Sequence, residues 1–231
     1  MALIELEQVS REYRMGEERV CALQQVSLNI ERGEFVSIVG RSGSGKSTLM
    51  NLIGCLDRPT GGSYRLEGQS VVGMKDRELS QIRNQTIGFV FQGFNLVPGL
   101  TAQENVELPL VYRGWSADRR RSAARQALVQ LGLENRLHHR PGQMSGGQQQ
   151  RVAVARAIAA DPAVVLADEP TGNLDSEAGA EVMSLLKGLW QRGKTVLLIT
   201  HDPLLAVCAP RRITIGGGRV VKEEWGHLEK N

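Results

Sequence analysis

The sequence is poor in aromatic side chains, in cysteine and in long apolar runs. Aromatic residues make up 4% of the 231 residues, and the three cysteines, Cys21, Cys55 and Cys208, lie far apart. An odd number of scattered cysteines favours reduced thiols over a disulfide framework or a zinc site. The longest apolar runs, such as residues 163–167, are strand-sized, well below the roughly 18 residues of a membrane-spanning helix. A net charge of +3 is too small to indicate a nucleic-acid partner.

Glycine, by contrast, is abundant at 26 residues, with dense clusters at 40–45 and 146–147. Apolar residues at every second position from Val26 to Ile30 indicate a half-buried strand. Thr101-Ala-Gln-Glu104 has the pattern of a capping box that starts a helix. The sequence further predicts, in chain order, a strand at 35–39, a helix at 46–56, hairpins at 61–73, a strand at 87–91, helices at 116–131 and 148–160, a strand at 163–167, a helix at 176–192 and a strand at 195–200. This alternation favours βαβ units and a parallel sheet.

Residues 40–47, GRSGSGKS, match the phosphate-binding pattern G-x-x-x-x-G-K-[ST] between a predicted strand and a predicted helix. Small residues allow successive backbone N–H groups to face phosphate oxygens, and the helix N-terminus adds partial positive charge. We therefore expect Lys46 to reach the β- and γ-phosphates of a nucleotide and the Ser47 hydroxyl to bind Mg²⁺. The alternative, a flexible glycine turn, does not explain the strand and helix on either side.

An acidic pair, Asp168-Glu169, directly follows the apolar run AVVLA. At the end of a buried strand in a P-loop protein, Asp168 fits a ligand of Mg²⁺ or of its bound water. Glu169 can orient or deprotonate the water that attacks the phosphate. An Asp-Glu pair on its own is more often a solvated turn, so this interpretation depends on the P-loop.

The second glycine cluster opens a predicted helix, and residues 144–151 read MSGGQQQR. A serine hydroxyl, bare backbone and a helix N-terminus form a second anion site, but no lysine accompanies this one. Such a site can serve the ATP of another copy of the chain. The residues SGGQQQR resemble the signature motif of the ATP-binding-cassette (ABC) superfamily, although Met144 stands where that family usually has leucine.

Other motifs of the superfamily occur in the expected order. Gln92 resembles the glutamine that binds Mg²⁺ and water, and His201 resembles the histidine that contacts the γ-phosphate. Residues 172–175, GNLD, resemble the loop that lies across the dimer interface. Tyr13 stands where the family places an aromatic ring against adenine, the alternative being ordinary surface packing.

The resemblance covers about residues 3–222 and implies an α/β fold. This is the P-loop NTPase ABC cassette, with a RecA-like parallel-sheet core, an N-terminal antiparallel β subdomain and an inserted α-helical subdomain. It implies one cassette over residues 1–231, with 1–92 and 161–231 as catalytic core and β subdomain and 93–160 as helical subdomain. The implied catalytic residues are Lys46, Gln92, Glu169 and His201, and the implied Mg²⁺ ligands are Ser47, Gln92 and Asp168. The implied ATP contacts are Tyr13, Gly40, Arg41, Ser42, Gly43, Ser44, Gly45, Lys46, Ser47, Thr48, Ser145, Gly146, Gly147, Gln148 and Asp175.

The resemblance also implies partners. It implies an ATPase that forms a head-to-tail homodimer around two Mg-ATP, each held by residues 40–48 of one copy and 145–147 of the other. It further implies a membrane permease on a separate chain and a cytoplasmic location at the inner face of the cell membrane. The stretches 23–59, 88–110 and 171–175 are most similar to the macrolide-export, lipoprotein-release and cell-division group, whose permeases export substrates or transmit force.

Two other classes of function stay open at this level. The first is a soluble ABC ATPase that acts in DNA repair or translation. Such relatives typically carry two cassettes, a long coiled coil or zinc modules, which do not fit in 231 residues, so no nucleic acid is expected. The second is a P-loop kinase or nucleotide-binding regulator, which leaves SGGQQQR, Gln92 and His201 without a role.

Overall fold

The computed structural model describes residues 2–16 and 18–226. The chain divides into two compact units, one formed by residues 1–83 and 189–231 and the other by residues 84–188. Along the described chain the elements are β1 (Ala2–Met15), β2 (Glu18–Glu31), β3 (Phe35–Val39), α1 (Lys46–Ile53), β4 (Gly61–Leu66), β5 (Gln69–Ser70), α2 (Asp76–Thr86), β6 (Ile87–Phe91), α3 (Ala102–Tyr112), α4 (Ala117–Gln130), α5 (Gly146–Ile158), β7 (Val164–Asp168), α6 (Ser176–Gln191), β8 (Thr195–Ile199), α7 (Pro203–Ala206), β9 (Arg211–Gly216) and β10 (Arg219–Trp225).

The unit that contains the N-terminal segment carries an antiparallel sheet with strand order β2-β1-β4-β5. In β2, Val26, Leu28 and Ile30 are buried while the residues between them are exposed. This alternation is what the sequence predicts for a strand with one face on the core. The expected N-terminal antiparallel β subdomain is therefore confirmed.

The same unit contains three parallel strands. Strand β3 lies between β8 and β9 and is parallel to both, while β10 pairs with β9 in antiparallel orientation. All five residues of β8 are buried, and so are the first four of β3. Strands buried on both faces are continuously apolar rather than alternating. This is why the short apolar runs at 35–39 and 195–199 identify them.

The unit of residues 84–188 contains parallel strands β6 and β7 and helices α3, α4 and α5. The register of β6 and β7 places Phe91 beside Asp168, so the residues that follow the two strands leave the sheet at one edge. Thr101 and Glu104 form the predicted capping box of α3. The finer division, with a helical subdomain at 93–160, stays a prediction.

Several predicted boundaries differ from the observed ones. The helix predicted at 46–56 ends at Ile53, and Cys55 just beyond it has a left-handed φ of 52° that cannot continue a helix. The helix predicted at 148–160 begins at Gly146, because Ser145 is its N-cap. Helix α2 was not predicted from the sequence, because its mostly polar residues bury only a narrow stripe that includes Leu79 and Ile82.

Within residues 2–16 and 18–226, none of the helices combines the length and the apolar character that crossing a membrane requires.

Candidate functional site

The predicted phosphate loop joins the end of β3 to the start of α1. Gly43 and Gly45 have φ values of 74° and 106°, which side-chain-bearing residues rarely adopt. A Cβ atom on Gly45 would also lie 2.7 Å from the carbonyl oxygen of Ala22. Both glycines are thus required by the backbone of the loop, which leads directly into the N-terminus of α1. A helix N-terminus presented in this way is suited to bind an anion.

Lys46, the first residue of α1, folds back over this loop. Its Nζ donates to the carbonyl oxygens of Gly40 and Arg41, at 2.7 and 3.0 Å. The ammonium therefore lies over the start of the loop, on the side where the phosphates of a nucleotide are expected. Ser44 Oγ in the same loop is buried and has no hydrogen-bond partner among the described residues.

His201 lies close to the phosphate loop within the same unit. Together with Gly40, Arg41 and residues of β9, it lines an open surface pocket of about 450 Å³. Strand β8 positions it, because the backbone N–H of Thr200 donates to the Ile38 carbonyl of β3 at 3.1 Å. The structure thus brings His201 and the first two loop residues together, and the γ-phosphate role of His201 stays a prediction.

Tyr13 is held by two residues that the sequence did not single out. Its hydroxyl donates to Asp57 Oδ2 at 2.7 Å, and the Arg11 guanidinium lies 4.5 Å from the ring centroid. Arg11 also pairs with Asp57 at 2.8 Å. Only the contact with Arg11 has a sequence signal, because residues 11 and 13 lie two apart on one strand and so share a face. One ring face is covered by the guanidinium, so an adenine base would use the other face.

Asp168 is the last residue of β7, one residue beyond the strand end predicted at 167, and Glu169 follows it. Val164 to Ala167 are buried, which carries the acidic pair to the edge of the sheet. Glu169 has a φ of 44°, a left-handed conformation that is unfavourable for a residue with a side chain. Backbone strain of this kind is concentrated at functional sites.

Gln92, just after β6, forms a reciprocal pair with Asn173. Gln92 Nε2 donates to Asn173 Oδ1 at 3.3 Å, and Asn173 Nδ2 donates to the Gln92 carbonyl at 3.1 Å. Gly172 makes room for this pair, since a Cβ there would lie 2.6 Å from Gln92 Nε2. Because Nε2 is used, the Gln92 side-chain oxygen is left to accept a donor or bind a cation. Two of the predicted motifs are therefore joined directly.

Asp175 caps helix α6. Its Oδ1 accepts a hydrogen bond from the backbone N–H of Ala178 at 2.8 Å. One oxygen of Asp175 is thus used to cap the helix. Its place at a dimer interface stays a prediction.

The signature segment begins α5 with a complete capping box. Ser145 Oγ accepts from the Gln148 N–H at 3.3 Å, and Gln148 Oε1 accepts from the Ser145 N–H at 3.1 Å. As an acceptor in this bond, Ser145 keeps its own O–H to donate to another oxygen. Gly147 packs directly on α6, because a Cβ there would lie 2.9 Å from Ala178 Cβ. The second glycine of the cluster is therefore needed for helix packing as well as for a bare helix terminus.

Replacement of Gly147 with alanine should disturb this packing. The added Cβ forces α5 and α6 apart, and overpacking of this kind costs about 1–3 kcal/mol. We expect urea denaturation to show a loss of this size for Gly147→Ala. Gly142→Ala is the matched control, because a Cβ at Gly142 meets nothing within 4 Å. Equal stability of the two variants would contradict the packing role of Gly147.

Known proteins of one family are similar to this chain over most of its length. Residues 23–172 match the ABC transporter family. The macrolide export ATP-binding/permease protein MacB of Hyphomonas neptunium is 53% identical over 221 residues, which cover 96% of this chain and 34% of that protein. MacB of Salmonella typhimurium is 52% identical over 220 residues, 95% of this chain and 34% of that protein. The chain thus spans about a third of the length of these curated relatives.

Solved structures give the same result. The ATP-binding cassette MJ0796, solved as a dimer in a post-hydrolysis state bound to ADP and Pi, is 49% identical with a TM-score of 0.89. The match covers 98% of this chain and all of that one. CbiO1 of Clostridium perfringens, part of the transporter complex cbiONQ, is 27% identical with a TM-score of 0.85, over 96% of this chain and 88% of that one.

The fold and the phosphate loop define a nucleotide-binding P-loop protein. Within that class, the chain belongs to the ABC transporter family. It is an ATP-binding cassette of that family. The comparisons give no support to a role in DNA repair or translation.

Proposed function

We propose that the cassette hydrolyses Mg-ATP as a head-to-tail dimer of two copies and thereby drives a conformational change in a membrane permease. The observation that carries the proposal is the pair of helix N-termini. The one at Lys46 has a lysine over its loop. The one at Gly146 has a hydroxyl donor, and residues 144–151 around it include no lysine. Two sites of this kind complement each other when they come from different copies.

The catalytic roles follow from the chemistry of each group. Lys46 neutralises the β- and γ-phosphates, Glu169 orients or deprotonates the attacking water, and His201 contacts the γ-phosphate. The other proposed contacts are those of the loop at 40–48, of Ser145 to Gln148 and of Asp175. The adenine base stacks on the face of Tyr13 opposite Arg11.

The proposed Mg²⁺ ligands, Ser47, Gln92 and Asp168, all offer oxygen, which is the donor that this ion prefers. Two observations support the choice. Gln92 uses its side-chain nitrogen on Asn173 and so keeps the oxygen, and the β6–β7 register sets Asp168 beside the residue before Gln92. When bound, the ion neutralises charge on the β- and γ-phosphates. That the three residues share one ion stays a prediction.

The dimer is a ligand-driven switch in this proposal. ATP holds two copies together because its γ-phosphate contacts the loop of one copy and residues 145–147 of the other. Loss of the γ-phosphate on hydrolysis removes the second contact, and the dimer opens. The dimeric MJ0796 structures support this arrangement for a cassette that is about half identical in sequence.

The permease is proposed to be of the exporter or force-transmitting type, at the inner face of the cell membrane with the cassette on the cytoplasmic side. The support is the match to MacB proteins, whose names join an ATP-binding part and a permease. A permease on a separate polypeptide stays a prediction, because those relatives are far longer than this chain.

Stimulation of ATP hydrolysis by a membrane protein tests the proposal. We expect a purified complex of the cassette with a co-expressed permease, of four spans and a large extracytoplasmic domain, to hydrolyse ATP faster than the cassette alone. Removal of Mg²⁺ with EDTA should abolish both activities. Stimulation by an importer-type permease with a binding protein, and not by this type, would contradict the proposed class.

A further inference from the structure

Helix α5 buries a glutamine that the predicted site did not include. Gln150 has 0% of its surface exposed. Its Nε2 donates to the carbonyl oxygens of Phe91 and Pro170, at 3.2 and 2.6 Å. Its Oε1 is buried without a hydrogen-bond partner among the described residues. A buried oxygen without a hydrogen-bond partner costs free energy. The two hydrogen bonds donated by the same amide are therefore the reason for a glutamine at this buried position.

Both carbonyls lie next to residues with proposed roles in hydrolysis. Phe91 directly precedes Gln92, and Pro170 directly follows Glu169. The parallel register sets Phe91 beside Asp168. The segments that follow β6 and β7 therefore leave the sheet side by side. One amide group therefore ties the backbone beside Gln92 to the backbone beside Glu169.

A second side chain of α5 holds the far side of Gln92. The Arg156 guanidinium donates to the carbonyl oxygens of Phe94 and Asn95, at 2.9 and 2.5 Å. Phe94 and Asn95 have φ values of 59° and 51°, which are unfavourable without support from the surroundings. Burial lowers the pKa of Arg156. The segment around Gln92 is thus held from both sides by one helix.

Helix α5 is also the helix whose N-terminus is formed by the signature residues. Ser145 and Gly147 lie within two turns of Gln150 on that helix. The structure therefore links the proposed contact to the partner's ATP with the backbone that carries Gln92 and Glu169.

We propose that Gln150 is a positioning residue for ATP hydrolysis. Its amide holds the backbone beside Gln92 and Glu169 in one fixed relation to each other and to the signature end of α5. The inference rests on the proposed roles of Gln92 and Glu169. Gln150 touches neither nucleotide nor water in this proposal, so its removal should affect turnover and leave ATP binding intact.

The test is Gln150→Met. Methionine is of similar length and volume, and it removes both N–H donors together with the unsatisfied oxygen. The substitution leaves the Phe91 and Pro170 carbonyls without these donors, so we expect a moderate fall in melting temperature in a variant that still folds. We expect kcat to fall about 10-fold or more, since small displacements of catalytic groups have effects of this size. KM for ATP should stay within about twofold.

Gln103→Met is the matched control. Gln103 on α3 donates its side-chain amide to Glu107 Oε1 at 3.1 Å, so the substitution also removes one amide hydrogen bond. This variant should keep the wild-type kcat. Gln150→Glu is a second test variant, because it keeps the shape of glutamine and offers at most one O–H donor. It should also lower kcat, and it carries the test if the methionine variant does not fold.

The outcomes separate the two proposals. A wild-type kcat in a folded Gln150 variant would overturn the positioning role. The positioning role would also be overturned if activity and the number of ATP-binding sites per chain fell by the same factor. That result would mean that part of the protein is unfolded and that the folded part has the wild-type kcat. A wild-type chain that does not hydrolyse ATP would instead contradict the proposed function, and the inference with it.

Discussion

The Glu169→Gln variant is expected to bind ATP, to hydrolyse it at least about 100-fold more slowly than the wild type, and to accumulate as a dimer. A general base typically contributes a factor of about 10²–10⁴ to the rate, and glutamine cannot accept the proton. Glutamine has the same shape, so it can keep the left-handed backbone at this position. Single-turnover hydrolysis measures the rate, and sedimentation with and without ATP measures the dimer.

Glu134→Gln is the control for this variant, because Glu134 is exposed in the same unit of the structure. It should behave as the wild type in both measurements. Wild-type hydrolysis by Glu169→Gln would show that Glu169 is not the base. If the Glu169→Gln variant hydrolyses ATP slowly but stays monomeric with ATP, the catalytic role of Glu169 is supported and the ATP-dependent dimer is contradicted.

The Lys46→Ala variant is expected to lose ATP binding. Lys46 Nζ already lies over the loop, on the carbonyls of Gly40 and Arg41, and charge-assisted hydrogen bonds contribute about 1.5–3 kcal/mol each. Loss of about 3 kcal/mol corresponds to a roughly 100-fold higher Kd. Isothermal titration with ATP measures this change, and hydrolysis should be undetectable at ATP concentrations that saturate the wild type.

Lys187→Ala separates this effect from a general change of charge. Lys187 is exposed on α6, and its removal changes the net charge by the same amount. We expect the Kd of this control to match the wild type. Equal affinity of Lys46→Ala and Lys187→Ala for ATP would mean that the loop does not hold the phosphates through Lys46.

The sequence predicts those parts of the site that depend on local backbone. The phosphate loop needs glycine at 43 and 45 because of its φ values, and β3, β7 and β8 are short apolar runs because both faces are buried. In these places one segment determines its own conformation, so the pattern of residues is sufficient. The capping box at Thr101 is of the same kind, since both partners lie within four residues.

The parts that the sequence does not predict depend on partners that are distant along the chain. Asp57 lies 44 residues from Tyr13, and Asn173 lies 81 residues from Gln92. The amide of Gln150 binds carbonyl groups 59 and 20 residues away. Backbone carbonyls occur at every residue and leave no sequence pattern, so only the folded chain identifies which ones a side chain binds.

The capping box at the start of α5 bears on how readily the proposed dimer can close. Ser145 and Gln148 hold each other's backbone N–H groups, so both side chains are ordered before a phosphate arrives. Ordering a side chain on binding costs about 0.5–1.5 kcal/mol. Ser145 and Gln148 are already ordered in the folded chain, so binding does not include this cost for them. Closing the dimer around ATP therefore does not have to order Ser145 and Gln148 a second time, which favours closure.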